Sequence, residues 1–346
     1  MNIGFIMYEW EKVDPVIDST LRLIHGAAKR GHNVSIINPG NLTIREGIPM
    51  AFCKMLKKEE KLTKSMTSFW KNAKFKEQML PLSGFDAIFL RDDPPVNNTV
   101  LNFLDSVKDD VFIVNDIDGM RKASNKLYPA SYYDPNNPFV PKTHVSKNKE
   151  YLLSVFEESD QDKMILKPLD GFGGSGVIVV EKSAMHNMKS LLDFYISGRD
   201  GKDPQYVILQ EFVPGAELGD VRVLMLNGEP IGAMRRVPAD GENRSNISAG
   251  GTAVRHTLNK EEKAICKAIG PQLVADGLFF VGIDLIGTHL IEINVSSPGG
   301  IPEINQMSKN KYKIEAKVME YVESVVGKKA KAEDRRRAFR QAVQDA

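Results

Sequence analysis

The sequence predicts two kinds of folding unit in series, an α/β and α+β architecture: a parallel α/β domain at the N-terminus, then antiparallel sheets with helices. Three observations carry this. Apolar runs of strand type alternate with a helical pattern up to about residue 124, the rhythm of a parallel sheet with crossover helices. After Asn125 the strands come in pairs separated by short turns, as in hairpins. The chain is 346 residues long, with 42% hydrophobic and 26% charged residues, ordinary values for a globular protein of two or three domains.

Residues 2–8 read as a buried first strand. Ile17, Leu21, Ile24, Ala27 and Ala28 follow at helical spacing, and the helix ends at Arg30-Gly31-His32, a basic residue and then glycine. Residues 34–37, 85–90 and 111–115 read as further strands. No G-x-G-x-x-G follows the first strand, so nothing points to a dinucleotide. The lysine-rich stretch Lys54–Lys76 reads as a solvated helical excursion. Residues 164–167 and 177–180 flank a glycine-rich turn. Residues 206–210, 221–225 and 230–234 suggest a second sheet, 260–277 a helix, and 279–285 with 289–294 a final hairpin. The charged segment from Gly327 on reads as a solvated terminal helix or frayed tail. The domains expected are therefore 1–124, 125–205, 206–326 and the tail 327–346.

Composition excludes several functions. The formal net charge is +1, which supplies no global attraction for nucleic acid. Two cysteines, Cys53 and Cys266, cannot form a disulfide framework or a cysteine-based zinc module, and a reducing compartment follows. No apolar run is long enough for a membrane span, and the N-terminus lacks the basic start of a signal peptide. A cytoplasmic protein is expected, with no membrane and no nucleic acid as partner.

Three constellations carry chemistry. The run Lys167-Pro168-Leu169-Asp170-Gly171-Phe172-Gly173-Gly174-Ser175-Gly176 places a lysine at a strand end before four glycines in six residues. Such a turn lets backbone amides approach phosphate oxygens, although alone it reads equally as a flexible hairpin. Asp284 and Glu292 fall on adjacent strands, and Asn294 shares a face with Glu292; two carboxylates and an amide oxygen suit a hard cation. A long polar loop, Arg235–Gly251, carries arginines and ends in glycines, the composition of a lid that neutralises phosphate as it closes. Arg222, inside a strand, is a further cation. Together these are the parts of a phosphoryl-transfer site for ATP.

The chain resembles the ATP-grasp carboxylate–amine ligases, and among them the bacterial glutathione synthetases. The resemblance runs from residue 2 to about residue 325 and rests on Arg91-Asp92-Asp93-Pro94-Pro95, Asn125-Lys126-Leu127, Ile165–Gly171, Arg244-Ser245-Asn246 with Ala249-Gly250-Gly251, Val281-Gly282-Ile283-Asp284 and Glu292–Pro298. It implies a pre-ATP-grasp domain followed by an ATP-grasp fold of two antiparallel-sheet subdomains. It implies that γ-glutamylcysteine is joined to glycine through an acyl phosphate, with ATP and Mg²⁺ (or Mn²⁺) as cofactors. By resemblance, Lys126, Lys167, Gly173, Gly174 and Ser175 contact the nucleotide phosphates, Gln210, Glu211, Phe212 and Val213 hold the adenine, and Asp220 joins the same pocket. Asp284, Glu292 and Asn294 bind the metal. Arg222, Arg236, Arg244 and Asn246 steady the reacting groups. Asp93, Gly250, Gly251, Ser297, Gly299 and Gly300 contact the substrates. A homo-oligomer is expected.

Loss of either metal carboxylate, as in Asp284→Ala or Glu292→Ala, is expected nearly to abolish turnover while sparing the fold, since each removes one member of a repulsive pair. The sequence leaves the family pattern after Pro298. The family usually continues with threonine, a small residue, a hydrophobe and a basic or amide residue before glutamate; here Gly299-Gly300-Ile301-Pro302 precedes Glu303. Main-chain amides are expected to replace the missing side-chain donors toward the peptide substrate. Two alternatives stand beside glutathione synthesis: another ATP-grasp ligase with different acceptors, and a non-catalytic ATP-binding regulatory module.

Overall fold

A computed structural model describes residues 1–60, 62–136, 138–169, 175–197, 204–239, 247, 250–309 and 311–344. The elements in chain order are β1 (Asn2–Ile6), α1 (Ser19–Lys29), β2 (Asn33–Arg45), β3 (Ile48–Leu56), α2 (Met66–Asn72), β4 (Phe75–Pro81), β5 (Ala87–Leu90), α3 (Asn98–Asp105), β6 (Phe112–Val114) and α4 (Ile117–Lys122). There follow α5 (Leu127–Ala130), β7 (Thr143–Ser146), α6 (Lys149–Glu158), β8 (Lys163–Pro168), β9 (Ile178–Glu181), α7 (Met185–Ser197), β10 (Val207–Glu211), β11 (Asp220–Leu226), β12 (Glu229–Val237) and β13 (Thr252–Arg255). The chain closes with α8 (Lys260–Ala275), β14 (Phe280–Ile286), β15 (His289–Asn294), α9 (Ile301–Met307) and α10 (Ile314–Gln344). Contacts divide it into two compact units: Met1–Gly119 with Asp276–Phe280 and Ser296–Ala346, and Met120–Ala275 with Val281–Val295.

The first unit holds a six-stranded sheet ordered β4-β3-β2-β1-β5-β6. β1 pairs in parallel with β2 and β5, and β5 with β6, which is the expected parallel α/β core. Ile3, Phe5 and Ile6 are fully buried, as befits a central strand covered on both faces. Asp18 caps α1 by accepting from the Leu21 amide, and Leu21, Ile24 and Ala27 face the core. Lys54–Lys76 is not the helical excursion expected. β3 and β4 run antiparallel to form an arm on β2, with the short helix α2 between them. Ala51 and Cys53 are buried while Phe52 between them is 55% exposed; that period of two belongs to a strand, and the lysines obscure it in sequence. The tail continues as a helix. In α10, Ile314, Val318, Met319 and Val322 are buried, and Arg30 donates to Glu323 at 2.6 Å; beyond Gly327 the described side chains are mostly exposed.

The second unit carries two sheets, β7-β10-β8-β9 and β13-β12-β11-β14-β15; the first is antiparallel throughout, and in the second β13–β12, β12–β11 and β14–β15 pair antiparallel. Leu152 and Phe156 of α6 and Met188 and Leu192 of α7 pack with Met164, Leu166 and Leu209 of the first sheet. Every residue of β11 is buried, so Arg222 lies within the fold. Burial pushes the thiols of Cys53 and Cys266 up to about 12, so both behave as small buried hydrophobes. Among the described residues no helix is long and apolar enough to cross a membrane.

Candidate active site

The strands of the second unit surround a cavity of about 750 Å³. Lys163, Ile165 and Lys167 alternate along β8 and all line it, as a period of two requires. Lys126, Ser175, Gln210, Glu211, Phe212 and Val213 line it as well, together with Glu292. The apolar lining of Ile165, Ile178, Ile286 and Ile291 was not singled out in the sequence; the signal available was the face that Ile165 shares with Lys167. Gly173 and Gly174 lie outside the described residues, as do Arg244 and Asn246.

Lys167 is 6% exposed and donates to Gln210 Oε1 at 2.9 Å. Burial pushes its ammonium down to about 8; Glu292 opposes that shift and Lys126 adds to it. Lys126 Nζ lies 3.7 Å from Glu292 Oε1. A lysine ammonium so deeply buried attracts phosphate strongly, because protein rather than water surrounds most of it.

Deeper in the second sheet lies a buried charge cluster. Asp220 and Arg236 are cross-strand partners on β11 and β12, and Arg236 donates through Nε to Asp220 Oδ1 at 2.7 Å and through Nη2 to Oδ2. Arg222 forks onto Asp284, with Nη2 at 2.9 Å from Oδ2. Arg236 Nη2 also lies 2.8 Å from Asp284 Oδ2. Burial alone would raise the Asp284 carboxyl, yet the charges of Arg222 and Arg236 outweigh it and hold the group well below the usual carboxylate range. Asp220 is raised, by burial and then by repulsion from Asp284. Arg236 thus bridges the two carboxylates, forking onto Asp220 and reaching Asp284 through Nη2. Asp220, expected in the nucleotide pocket, is not among the residues lining the cavity; its carboxylate is spent on Arg236.

Asp284 pairs with Glu292, and Gly282 with Asn294, across the β14–β15 hairpin. Asn294 Nδ2 donates to Asp284 Oδ2 at 3.2 Å. Among the described residues no group of three His, Cys, Asp or Glu side chains is arranged for a metal, which leaves this mixed set as the metal candidate. Its donors are the hard oxygens that a dication prefers, and they share one hairpin. Glu292 reaches the cavity, while both oxygens of Asp284 are held by guanidinium groups. A cation at Asp284 would share that carboxylate with Arg222 and Arg236.

The six expected substrate residues divide between the units: Gly250 and Gly251 precede β13 in the second, and Asp93, Ser297, Gly299 and Gly300 fall in the first. In the first unit the loop before α9 is clamped. Ser19 Oγ accepts from the amides of Gly300 and Ile301, each at 3.1 Å. Arg91, 2% exposed, donates through Nη2 to the Pro298 carbonyl and through Nε to Thr20 Oγ1, both at 3.1 Å. Burial lowers the Arg91 guanidinium to about 10, against the opposing charges of Asp18, Asp93 and Tyr8. The amides expected to meet a substrate carboxylate at Gly300 and Ile301 are thus already occupied. Sequence reasoning missed Ser19; Arg91 carried a signal, a charge closing the apolar strand β5.

Comparison with known proteins agrees with this geometry. The family model of the prokaryotic glutathione synthetase N-terminal domain matches residues 1–121, and that of the prokaryotic glutathione synthetase ATP-grasp domain matches residues 125–309. The chain is 35% identical over 318 residues to a glutathione synthetase of Synechocystis sp., covering 89% of this chain and 95% of that one. It is 32% identical over 308 residues to that of Agrobacterium fabrum, covering 88% and 91%. Among solved structures, D-cycloserine synthetase DcsG superposes with a TM-score of 0.62 at 16% identity, covering 92% of this chain and 99% of that one. A RimK-domain ATP-grasp protein from Sphaerobacter thermophilus gives 0.60 at 14%, covering 93% and 99%; at such identities the likeness is one of fold. With the two family models together matching residues 1–121 and 125–309, the second of them spanning every residue that lines the cavity, the chain belongs to the prokaryotic glutathione synthetase family.

Proposed function

We propose that this chain is an ATP-dependent ligase that joins γ-glutamylcysteine to glycine, forming glutathione with release of ADP and phosphate. The observation that carries the reading is the cavity in which Lys126 and Lys167 sit with Glu292, backed by family membership. A carboxylate is a poor electrophile at neutral pH, so ATP must first convert it to an acyl phosphate, which the glycine amine then attacks. Lys126 and Lys167, with Gly173, Gly174 and Ser175, bind the phosphates. The apolar isoleucines flank the purine, and the chain at Gln210–Val213 reads its edge. Mg²⁺, for which Mn²⁺ can substitute, is the dication we assign to Asp284, Glu292 and Asn294; when bound it neutralises charge on the phosphoryl oxygens. Arg222 and Arg236 are held rigid by Asp284 and Asp220, so their charge is oriented before the reaction starts. Arg244 and Asn246 complete the set on a lid that excludes water from the acyl phosphate. No protein nucleophile is needed. The partners are small molecules, and we place the enzyme in the cytoplasm as a homo-oligomer.

The test is phosphate release with ATP and Mg²⁺, alone and with γ-glutamylcysteine plus glycine, with the product identified by mass. Release no higher with both substrates than with ATP alone sinks the glutathione assignment. A second reading, a ligase with a different acceptor pair, is favoured by one observation, the departure from the family pattern at Gly299–Pro302. Pro302 is buried at the start of α9, so the basic residue common there in the family would place a charge inside this unit. Gly299 has nothing within 4 Å of an added Cβ. Gly299→Thr should therefore fold normally and change KM for the dipeptide several-fold while leaving KM for ATP within twofold. Equal changes in both would remove this loop from peptide recognition.

A further inference from the structure

Three adjacent strands, β7, β10 and β8, carry Thr143, Gln210 and Lys167 on one face. Gln210 is the cross-strand partner of Thr143, and Lys167 sits diagonally across from Gln210, opposite Ile208. Their polar atoms form one unbroken chain. Lys167 Nζ donates to Gln210 Oε1 at 2.9 Å. Gln210 Nε2 donates to Thr143 Oγ1 at 2.7 Å. Thr143 Oγ1 donates to the Pro141 carbonyl at 2.8 Å.

The chain has a direction. A carboxamide can present either end to Lys167, and the wrong end sets an NH₂ against an ammonium. Pro141 offers a carbonyl, which can only accept. The hydroxyl of Thr143 has a single hydrogen, and that hydrogen goes to Pro141; Thr143 then has only lone pairs for Gln210. Gln210 must answer with its NH₂, which leaves its oxygen for Lys167. Lys167 and Gln210 are each 6% exposed, so a misdirected amide between them is costly.

Resting on the nucleotide reading of the cavity, we propose that Thr143 is a positioning residue of the ATP site: it fixes the Gln210 carboxamide so that its oxygen faces Lys167 and holds that side chain aimed at phosphate. No role for Thr143 follows from the cavity alone, which it does not line.

The charges facing Lys167 are Glu292 of β15 and Lys126 before α5; Lys163, Glu181, Glu211 and Glu217 line the same cavity. With its ammonium pushed down to about 8, Lys167 loses charge as pH rises through that value, and ATP binding should weaken over the same range. Losing a charge-assisted acceptor lowers the value further and moves this limb to lower pH.

The experiment is ATP binding in the presence of Mg²⁺ by calorimetry from pH 6.5 to 9, with glutathione formation followed separately. Thr143→Val should weaken ATP binding about tenfold at pH 8, the worth of one hydrogen bond to a charged group, and move the alkaline limb down by roughly one pH unit. Thr143→Ser, which keeps the hydroxyl, should restore both. In a Gln210→Glu background either end of the side chain accepts, so adding Thr143→Val should change binding less than twofold. A Thr143→Val protein within twofold of wild type at every pH overturns the proposal, as does an equal loss in the Gln210→Glu background, which marks a merely structural role. Should Thr143→Val fail to fold, Gln210→Glu alone decides: its limb must move to higher pH, and an unmoved limb overturns the contact with Lys167. A wild-type chain that binds no ATP removes the nucleotide reading itself, whereas wild-type binding beside an unaffected Thr143→Val removes the relay alone.

Discussion

Asp284→Ala should cost both turnover and fold, whereas Glu292→Ala should cost turnover alone. From sequence the two carboxylates look equivalent, a repulsive pair whose members can each be removed without harm to the fold. The structure separates them. Asp284 is 3% exposed and takes the fork of Arg222 and an Nη2 of Arg236. Its removal leaves two guanidinium groups competing for Asp220 inside a dry sheet. Breaking a buried pair from one side costs about 3–5 kcal/mol, enough to lower the melting temperature on the order of 10 °C. The Glu292 side chain keeps 34% of its exposure and its ion pair to Lys126 is long, at 3.7 Å; so loose a pair, with the carboxylate still a third exposed, contributes little to stability. Thermal unfolding and phosphate release on both variants check this. Equal melting temperatures would contradict the charge balance drawn for Asp284. More than about a tenth of wild-type turnover in Glu292→Ala, a loss under roughly 1.4 kcal/mol, would remove that residue from the reacting centre.

What the sequence discloses and what it hides follows from how far apart the interacting residues are. β8, β10 and the β14–β15 hairpin were legible because strand alternation and a short turn are local signals, and they bring Lys167, Gln210 and Glu292 to their places. By resemblance Asp220 is expected in the nucleotide pocket, a few residues after the adenine-binding segment Gln210–Val213. Its role depends on register: Asp220 stands opposite Arg236, a pairing that no local pattern specifies. The clamp on the Pro298–Ile301 loop spans longer distances still, from Ser19 to Gly300 and from Arg91 to Pro298. A serine in the first turn of a helix reads as a capping residue for that helix; here it serves the start of α9 instead. The antiparallel arm β3–β4 was hidden for a different reason. Its lysines dominate the composition, and the buried alternation of Ala51 and Cys53 is too short to stand out against them.

The start of β11 sets a further test. Gly219→Ala should destabilise the chain severely and abolish turnover, while Gly215→Ala, four residues earlier, should do neither. Both glycines have positive φ, +87° and +93°; Gly215 is left-handed αL, which costs an alanine about 1–2 kcal/mol, whereas Gly219, with ψ at −173°, sits in a region essentially restricted to glycine. They differ in what a side chain would meet. At Gly215 nothing lies within 4 Å of an added Cβ; at Gly219 it would stand 1.9 Å from the Arg236 carbonyl oxygen and 3.1 Å from Val237 Cα. These are backbone atoms of the partner strand and cannot rotate aside. β11 and β12 would have to separate where Asp220 faces Arg236, stretching the 2.7 Å contact from Arg236 Nε to Asp220 and the 2.8 Å approach of Arg236 to Asp284. The variant then carries backbone strain together with a loosened buried charge cluster, a combined cost of about 4 kcal/mol or more. The Arg236 guanidinium, displaced from its two carboxylates, would no longer be oriented for the reacting phosphoryl group, so activity should fall even where folded protein remains. Melting temperature and turnover per folded molecule, measured on both variants, decide the matter. If Gly219→Ala melts no lower than Gly215→Ala, close packing of β11 against the Arg236 backbone does not hold the cluster together.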